Sequence, residues 1–348
     1  MSIKLEIIDP LNYPTWDELL LSNDEYSFFQ TSHWAGVLHG AYHFKPCYFS
    51  LIHGNRLVAL IPLMEINSIL TGKRGVSLPF TDYCEPIVSR EIETKVVFDF
   101  IKEYALKAGW KYIEFRGAGR LFQDSPPHAS WYYKHTLKLK RDEDQLFSSF
   151  KGNTQRNIRR AATVGLEVRI DNSFDALMEF YRLNCMTREE HGLPPQPFYF
   201  FRKVYDHVIS MDHGFVSLAF HDGKAIAGAV YFHFGGRAIY KYGASDKAYQ
   251  HLRPNNLAMW EAIKWYCRNG YKDFCFGRTE PENAGLRQFK KGWGTDETTI
   301  EYFRYDITKN AFVFGYRSGV TKVFKTVFKR MPLLLLRAIG KALYRHVD

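Results

Sequence analysis

Lys290 sits in the run Arg287-Gln288-Phe289-Lys290-Lys291-Gly292-Trp293-Gly294, an ammonium behind an aromatic residue and ahead of a glycine. Such a cation can meet a donor phosphate or the oxyanion that develops when an acyl carbonyl is attacked. Asp82, in the turn-rich stretch Ser77-Leu78-Pro79-Phe80-Thr81-Asp82-Tyr83-Cys84-Glu85-Pro86, offers a carboxylate to take a proton from an amine or to orient it. An Asp in such a stretch also serves as a turn cap, and that alternative stays open. No Ser or Cys with a paired His stands out, so direct attack of an amine on an ester or thioester is expected, without a covalent enzyme intermediate.

A second group is basic. Lys151, Arg156, Arg159 and Arg160 fall within ten residues, with Glu167 the nearby compensating charge. Helical spacing puts three of the four on adjoining faces, which predicts a phosphate or RNA contact; a solvated basic face is the plainer alternative. Thr187, Arg188 and His191 precede the break at Gly192-Leu193-Pro194-Pro195, where a loop can wall a site or simply lie at the surface. Tyr242, Asn255 and Arg278 complete the candidate substrate-binding residues.

These residues need elements to hold them. Residues 215–294 read as a three-stranded meander with turns at Asp222-Gly223 and Gly235-Gly236, a helix opening at Pro254, a cap at Asn269-Gly270 and a strand from Tyr271 to Phe276. A meander feeding a helix and a further strand is the core of an N-acyltransferase fold. An earlier stretch echoes it. HGNRLVALIPL resembles HDGKAIAGAVYF, and KAGWKYIEFRG resembles RNGYKDFCFGR, with Gly109 over Gly270 and Phe115 over Phe276. Together these matches indicate a tandem duplication.

The fold class expected is α/β (α+β), with two tandem acetyltransferase-like domains of mixed, mostly antiparallel sheets flanked by helices. Residues 1–141 form the first domain and 142–310 the second; the basic amphipathic segment 311–348 packs back on the first domain or meets a membrane. Within it, Val320, Val323, Phe324, Val327 and Phe328 make one apolar stripe and Leu333 to Leu336 another, on either side of Pro332.

Composition bounds the partners. A chain of 348 residues carrying a net charge of +10 calls for an anionic partner: nucleic acid, an anionic membrane face or a phosphorylated substrate. Eight Lys and Arg stand between Gly315 and Asp348, with Asp348 the one acid, so much of the excess is local. Five cysteines without CxxC spacing fit a reducing cytosol and argue against a zinc site or a disulfide frame. The first residues lack a signal-peptide pattern, and no apolar run approaches the roughly 18 residues of a membrane span. A cytoplasmic protein is expected, at most peripheral on the inner face of the cell membrane, with no DNA partner.

The order FFQTSHWAGV, SLPFTDYCEP, NIRRAATVGLEV, TREEHGLPPQPFYFF, YKYGAS, RPNNLAMWEAIKWYCRNGYKDFCFG and LRQFKKGWG resembles the Fem-type (FemA/FemB/FemX-like) peptidoglycan aminoacyltransferases. More closely, it is similar to their shorter relatives in the acetyltransferase superfamily. The resemblance covers roughly residues 25 to 310 and lacks the coiled-coil insertion of FemA-type members. It implies transfer of an acyl or aminoacyl group to an amine, with an aminoacyl-tRNA donor and a diphosphate-bearing peptidoglycan precursor as acceptor in the Fem enzymes. It further implies that Gln30 and Trp34 lie at the acceptor site, that Asp82 and Tyr83 flank it, and that Arg188 contacts phosphate. Phe289-Lys290 match the family's Phe-Lys before the final strand. Ser32 stands where the nucleotide-precursor branch has a Lys.

The donor can be weighed from residues too. Acetyltransferases that use coenzyme A place a glycine-rich loop before the main helix, whose N–H groups hold the pyrophosphate. Here that position reads Gln250-His251-Leu252-Arg253-Pro254-Asn255-Asn256, without glycine. Gly117-Ala118-Gly119, after a strand of the first copy, reads as a turn. The donor expected is aminoacyl-tRNA, with acyl-CoA or acyl carrier protein acting on a small amine or amino sugar as the alternative. A catalytically silent member binding tRNA or lipid headgroups is the third reading. No bound cofactor or metal is expected.

Overall fold

The computed structural model describes residues 5–122, 126–315 and 327–346. The chain opens with β1 (Glu6–Ile8), α1 (Trp16–Leu21) and α2 (Ser32–Tyr42). The second helix begins at Ser32. Before it, on a short 3-10 turn, the Ser27 N–H donates to Gln30 Oε1 at 2.8 Å, and the Thr31 hydroxyl accepts the Trp34 N–H. Next come β2 (Lys45–His53), β3 (Arg56–Ser68), β4 (Gly72–Val76), β5 (Ile87–Val88), α3 (Thr94–Lys107) and β6 (Tyr112–Arg116). They are followed by β7 (Ser130–Lys138), α4 (Glu143–Ser148), α5 (Gly152–Thr163), β8 (Glu167–Asp171), α6 (Phe174–Glu190) and α7 (Phe198–Val204). The meander of β9 (Gly214–His221), β10 (Lys224–Phe234) and β11 (Arg237–Ser245) leads into α8 (Pro254–Arg268) and β12 (Asp273–Thr279). Last are α9 (Ala284–Lys291), β13 (Asp296–Asp306), β14 (Ala311–Phe312) and α10 (Leu333–Leu343).

The described residues form two compact units. The first holds those up to Tyr132 with 299–315 and 343–346; the second holds 133–298 and 327–342. In the first, β1 to β4 run antiparallel in order, β6 pairs parallel with β4, and Tyr302–Asp306 of β13 pairs antiparallel with β6. In the second, β8 to β11 run antiparallel in order, β12 pairs parallel with β11, and Tyr133–Lys138 of β7 pairs antiparallel with β12. Hairpin, third strand, crossover helix and parallel strand thus recur in one order, and Gly109 (φ 72°) and Gly270 (φ 77°) turn the chain at the matching helix ends. The repeat seen in the residues is a repeat of topology.

The units divide at 132/133 and 298/299, where the sequence reading put the boundaries at 141/142 and 310/311. Each unit's last ladder explains the difference, because the residues that complete β12 and β6 lie short of those expected points. The tail differs as well. Residues 327–342 group with the second unit, where Gly340 packs so closely that an added Cβ would stand 2.1 Å from the Pro195 carbonyl oxygen. Residues 343–346 group with the first, and the His346 carbonyl accepts from Arg74 at 3.0 Å. Val320, Val323 and Phe324 lie outside the described residues.

Each unit has its own apolar core. Phe49, Ile61, Leu63, Trp110 and Phe115 pack beneath α3 in the first; Phe215, Tyr231, Trp260, Tyr266, Phe274 and Trp293 pack around α8 in the second. Each such side chain contributes roughly 1.5–3 kcal/mol on leaving water. The five cysteines are buried and none is in a disulfide. Among the described residues, no helix is long and apolar enough to cross a membrane, and no cluster of His, Cys, Asp or Glu could hold a metal ion.

Candidate active site

The second unit's sheet opens where two strands stop pairing. β11 and β12 are matched only over Arg237–Ile239 and Asp273–Cys275, after which both depart from the regular ladder. On β11 the register slips beside Lys241; on β12 Cys275 faces Thr136 and Arg278 faces Lys134, so Phe276 and Gly277 together oppose His135. Gly277 has φ 69°, the left-handed conformation that a bulge residue adopts without cost only as glycine.

The bulge turns two carbonyls toward α9. Asn283 caps that helix, and Phe289 and Trp293 lock it against Phe150 and Phe276. Lys290, 2% exposed, therefore points inward and donates to the carbonyls of Arg278 at 2.8 Å and Gly277 at 3.3 Å. Carbonyl dipoles satisfy the buried ammonium without cancelling its charge, and that charge can serve a developing anion.

Around Lys290 lies a network spread along the chain. His135 is fully buried, and its Nε2 stands 3.0 Å from Oε2 of Glu297. The same carboxylate accepts two hydrogen bonds from Arg287 at 2.7 Å each and lies 3.4 Å from Lys291. The Arg287 hydrogen bond is the main cause that holds Glu297 down at about 2. Burial first, then the Lys290 charge, lowers the His135 pKa, and Glu297 opposes both. Glu297 thus accepts from the Nε2–H of a neutral ring. His135 Nδ1 and the Thr279 hydroxyl are both buried without a hydrogen-bond partner among the described residues. The Arg287 guanidinium lies 3.7 Å from the Tyr133 ring centroid, which fixes its plane.

Of the other candidates in this unit, Arg278 serves Lys290 through its backbone. Tyr242 packs on Phe201 with Lys241 over its ring face. Asn255 donates to Ser245 Oγ at 3.2 Å, and Ser245 is tied in turn to Thr187. A cavity of about 400 Å³ lies beside these residues, lined by Met186, Glu189, Glu190, Ser245, Asp246, Lys247 and Lys329. Arg188 bonds the Pro194 carbonyl at 3.3 Å and steadies the loop after α6, while His191 is exposed at the C-cap of that helix. Lys151, Arg156, Arg159 and Arg160 are exposed on and beside α5, whose start is joined to the end of α9 by the Lys151 N–H donating to Gly292 O at 2.9 Å.

In the first unit the acceptor-side candidates cluster around the loop after β4. Leu78 and Phe80 hold φ of 54° and 61°, a conformation that non-glycine residues keep only when their surroundings impose it. Tyr302 donates to the Asp82 carbonyl at 2.8 Å, Arg116 to the Thr81 carbonyl at 3.4 Å, and Gln30 Nε2 to the Glu85 carbonyl at 2.8 Å. Tyr83 meets Phe29 edge to face, and Phe29 packs on Trp34. Gln30 and Trp34 are fully buried behind this loop. Ser32 bonds Asp17 through both its N–H and its hydroxyl. Arg116 is itself held by Glu114, which Arg304 also contacts; their charges outweigh the burial that would raise the Glu114 pKa.

An acetyltransferase (GNAT) domain model matches residues 148–291. The lipid II:glycine glycyltransferase of Staphylococcus haemolyticus (strain JCSC1435) is 35% identical over 80 residues, which cover 21% of this chain and 19% of that relative. Among solved structures the fold is similar to FemX, with a TM-score of 0.67 at 14% identity, over 86% of this chain and 97% of that one. It is also similar to a tandem GNAT protein from the clavulanic acid biosynthesis pathway, with a TM-score of 0.58 at 11% identity, over 88% of this chain and 99% of that one.

Proposed function

We propose that this chain, a Fem-type member of the GNAT superfamily, transfers an aminoacyl group from aminoacyl-tRNA to an amine of a cell-envelope precursor. The observation that carries the chemistry is the buried Lys290 ammonium on the bulge carbonyls. When an amine attacks the ester carbonyl, the C–N bond forms, the carbonyl oxygen gains charge, and a cation fixed in a dry site stabilises it without reorganisation. Collapse breaks the ester C–O bond; the amine loses its proton and the leaving hydroxyl gains one.

The donor assignment is supported by the start of α8. A pyrophosphate cradle needs free backbone N–H groups. Here the Arg253 and Asn256 N–H groups are bonded to Gln250 O and Arg253 O, Ala248 N–H is bonded to the Asp246 carboxylate, and Pro254 has none. A second reading, acyl-CoA or acyl carrier protein as donor, is favoured by the acetyltransferase model over residues 148–291. The test supplies the purified chain with an amine-bearing envelope precursor and either charged tRNA or acyl-CoA. Amide formed only from charged tRNA supports the proposal; amide formed only from acyl-CoA overturns it in favour of the second reading.

A further inference from the structure

We propose that the outer face of α5 is a track for the phosphodiester backbone of RNA, running toward Lys290. The inference rests on the reading of Lys290 as the transfer site but reads a different surface. Thr154, Ile158 and Ala161 make the buried stripe of α5. At 3.6 residues per turn, Arg156, Arg159 and Arg160 fall on the opposite side, within about a third of the helix circumference. All three are exposed, and none forms an ion pair among the described residues. No Asp or Glu occurs between Asp144 and Glu167, so the face has no internal compensation. Arg159 is set in place by Phe147, whose ring centroid lies 5.2 Å from its guanidinium carbon.

Position gives this face its direction. Lys151 ends the row at the start of α5, and its N–H to Gly292 O at 2.9 Å joins that point to the turn closing α9, two residues past Lys290. A strand neutralised along the arginines arrives beside the buried ammonium. A bilayer fits the face poorly, because surface binding needs apolar side chains among the cations. No large apolar side chain is exposed anywhere along α5. Guanidinium groups without acidic neighbours or apolar anchors match a polyanion whose charge lies on a hydrated backbone.

The test measures binding of uncharged bulk tRNA by fluorescence anisotropy across a salt series, for the full chain and for the triple variant Arg156→Gln, Arg159→Gln, Arg160→Gln. We expect at least a tenfold loss of affinity at low salt. The slope of log K against log salt should fall by about 2, since each phosphate neutralised on single-stranded RNA adds roughly 0.7 to it. Equal RNA affinity in the two proteins, or no RNA binding by the wild type, overturns the inference. So does arginine-dependent binding to phosphatidylglycerol vesicles with RNA binding unchanged. The chemistry is read separately. RNA binding abolished in the triple variant, with no transfer by the wild type, upholds the track and removes the transfer reading. Transfer from charged tRNA that survives the triple change with its KM intact does the reverse.

Discussion

His135 Nε2 stands 3.0 Å from Glu297 Oε2, although the two residues lie on different strands and 162 positions apart. This contact places a neutral imidazole between a carboxylate, which stabilises its charged form, and Lys290, which disfavours it. The two neighbours therefore pull in opposite directions. In a histidine NMR titration, Glu297→Gln should lower the His135 pKa further, and Lys290→Met should raise it. Shifts of the same sign in both variants would refute the arrangement.

Lys290→Met keeps most of the length of the side chain and removes its charge. Two bulge carbonyls lose their donor, which costs about 1–3 kcal/mol of stability. If the ammonium meets the oxyanion, transfer should fall by about 10²–10³ in kcat, the loss typical of one preorganised donor. A fall in stability alone, with kcat per folded molecule unchanged, would reduce Lys290 to a structural strut. Gly277→Ala probes the same carbonyls from the other side. Forcing a Cβ into φ 69° costs roughly 1 kcal/mol, and a shifted bulge should lower kcat more than it lowers Tm.

His233 sets an acid limit on the second unit. It is buried among Tyr266, Trp265 and Tyr271, donates to or accepts from Tyr266 at 3.2 Å, and lies 2.8 Å from Asp212 O. Burial is the main cause that lowers its pKa from 6.5 to about 4. The native ring is neutral while the unfolded one protonates below 6.5, so the unfolded state binds more protons in this window. Stability present above pH 6.5 is therefore lost as pH falls toward 4, by about 3 kcal/mol at 1.36 kcal/mol per pH unit. Urea denaturation of wild type and His233→Phe at pH 7 and pH 4.5 checks it: the acid loss should shrink in the variant.

The meander, the helix from Pro254 and the echo of both in the first unit were legible because each depends on local signals: turn glycines, helix caps and apolar spacing. Lys290 was singled out behind Phe289 and ahead of Gly292 and by resemblance, but its burial on two backbone carbonyls was not readable from that run. His135, Thr279 and Glu297 were not singled out. Nothing in their own neighbourhoods marks them, and His135 and Glu297 meet only because β7 and the start of β13 belong to the second unit. That same membership moved both expected boundaries. Gln30 and Trp34 were singled out by resemblance, which carries no information on burial, and both are fully buried. A residue type in a motif does not disclose whether its side chain touches substrate or holds the loop that does.

The C-terminal helix carries the last prediction. On α10, Leu336 and Gly340 are buried, while Leu334 and Leu335 are 76% and 54% exposed and Arg337 and Lys341 share the exposed surface. Exposed leucines beside cations are what binding to an anionic bilayer uses, the leucines entering the acyl boundary while the charges stay with the headgroups. Since both leucines already face water, Leu334→Gln with Leu335→Gln should leave Tm within about 1 °C, as surface changes within ±0.5 kcal/mol do. In vesicle flotation with phosphatidylglycerol the wild type should rise with the lipid and the double variant remain below, whereas equal flotation of the two would assign the helix to packing alone.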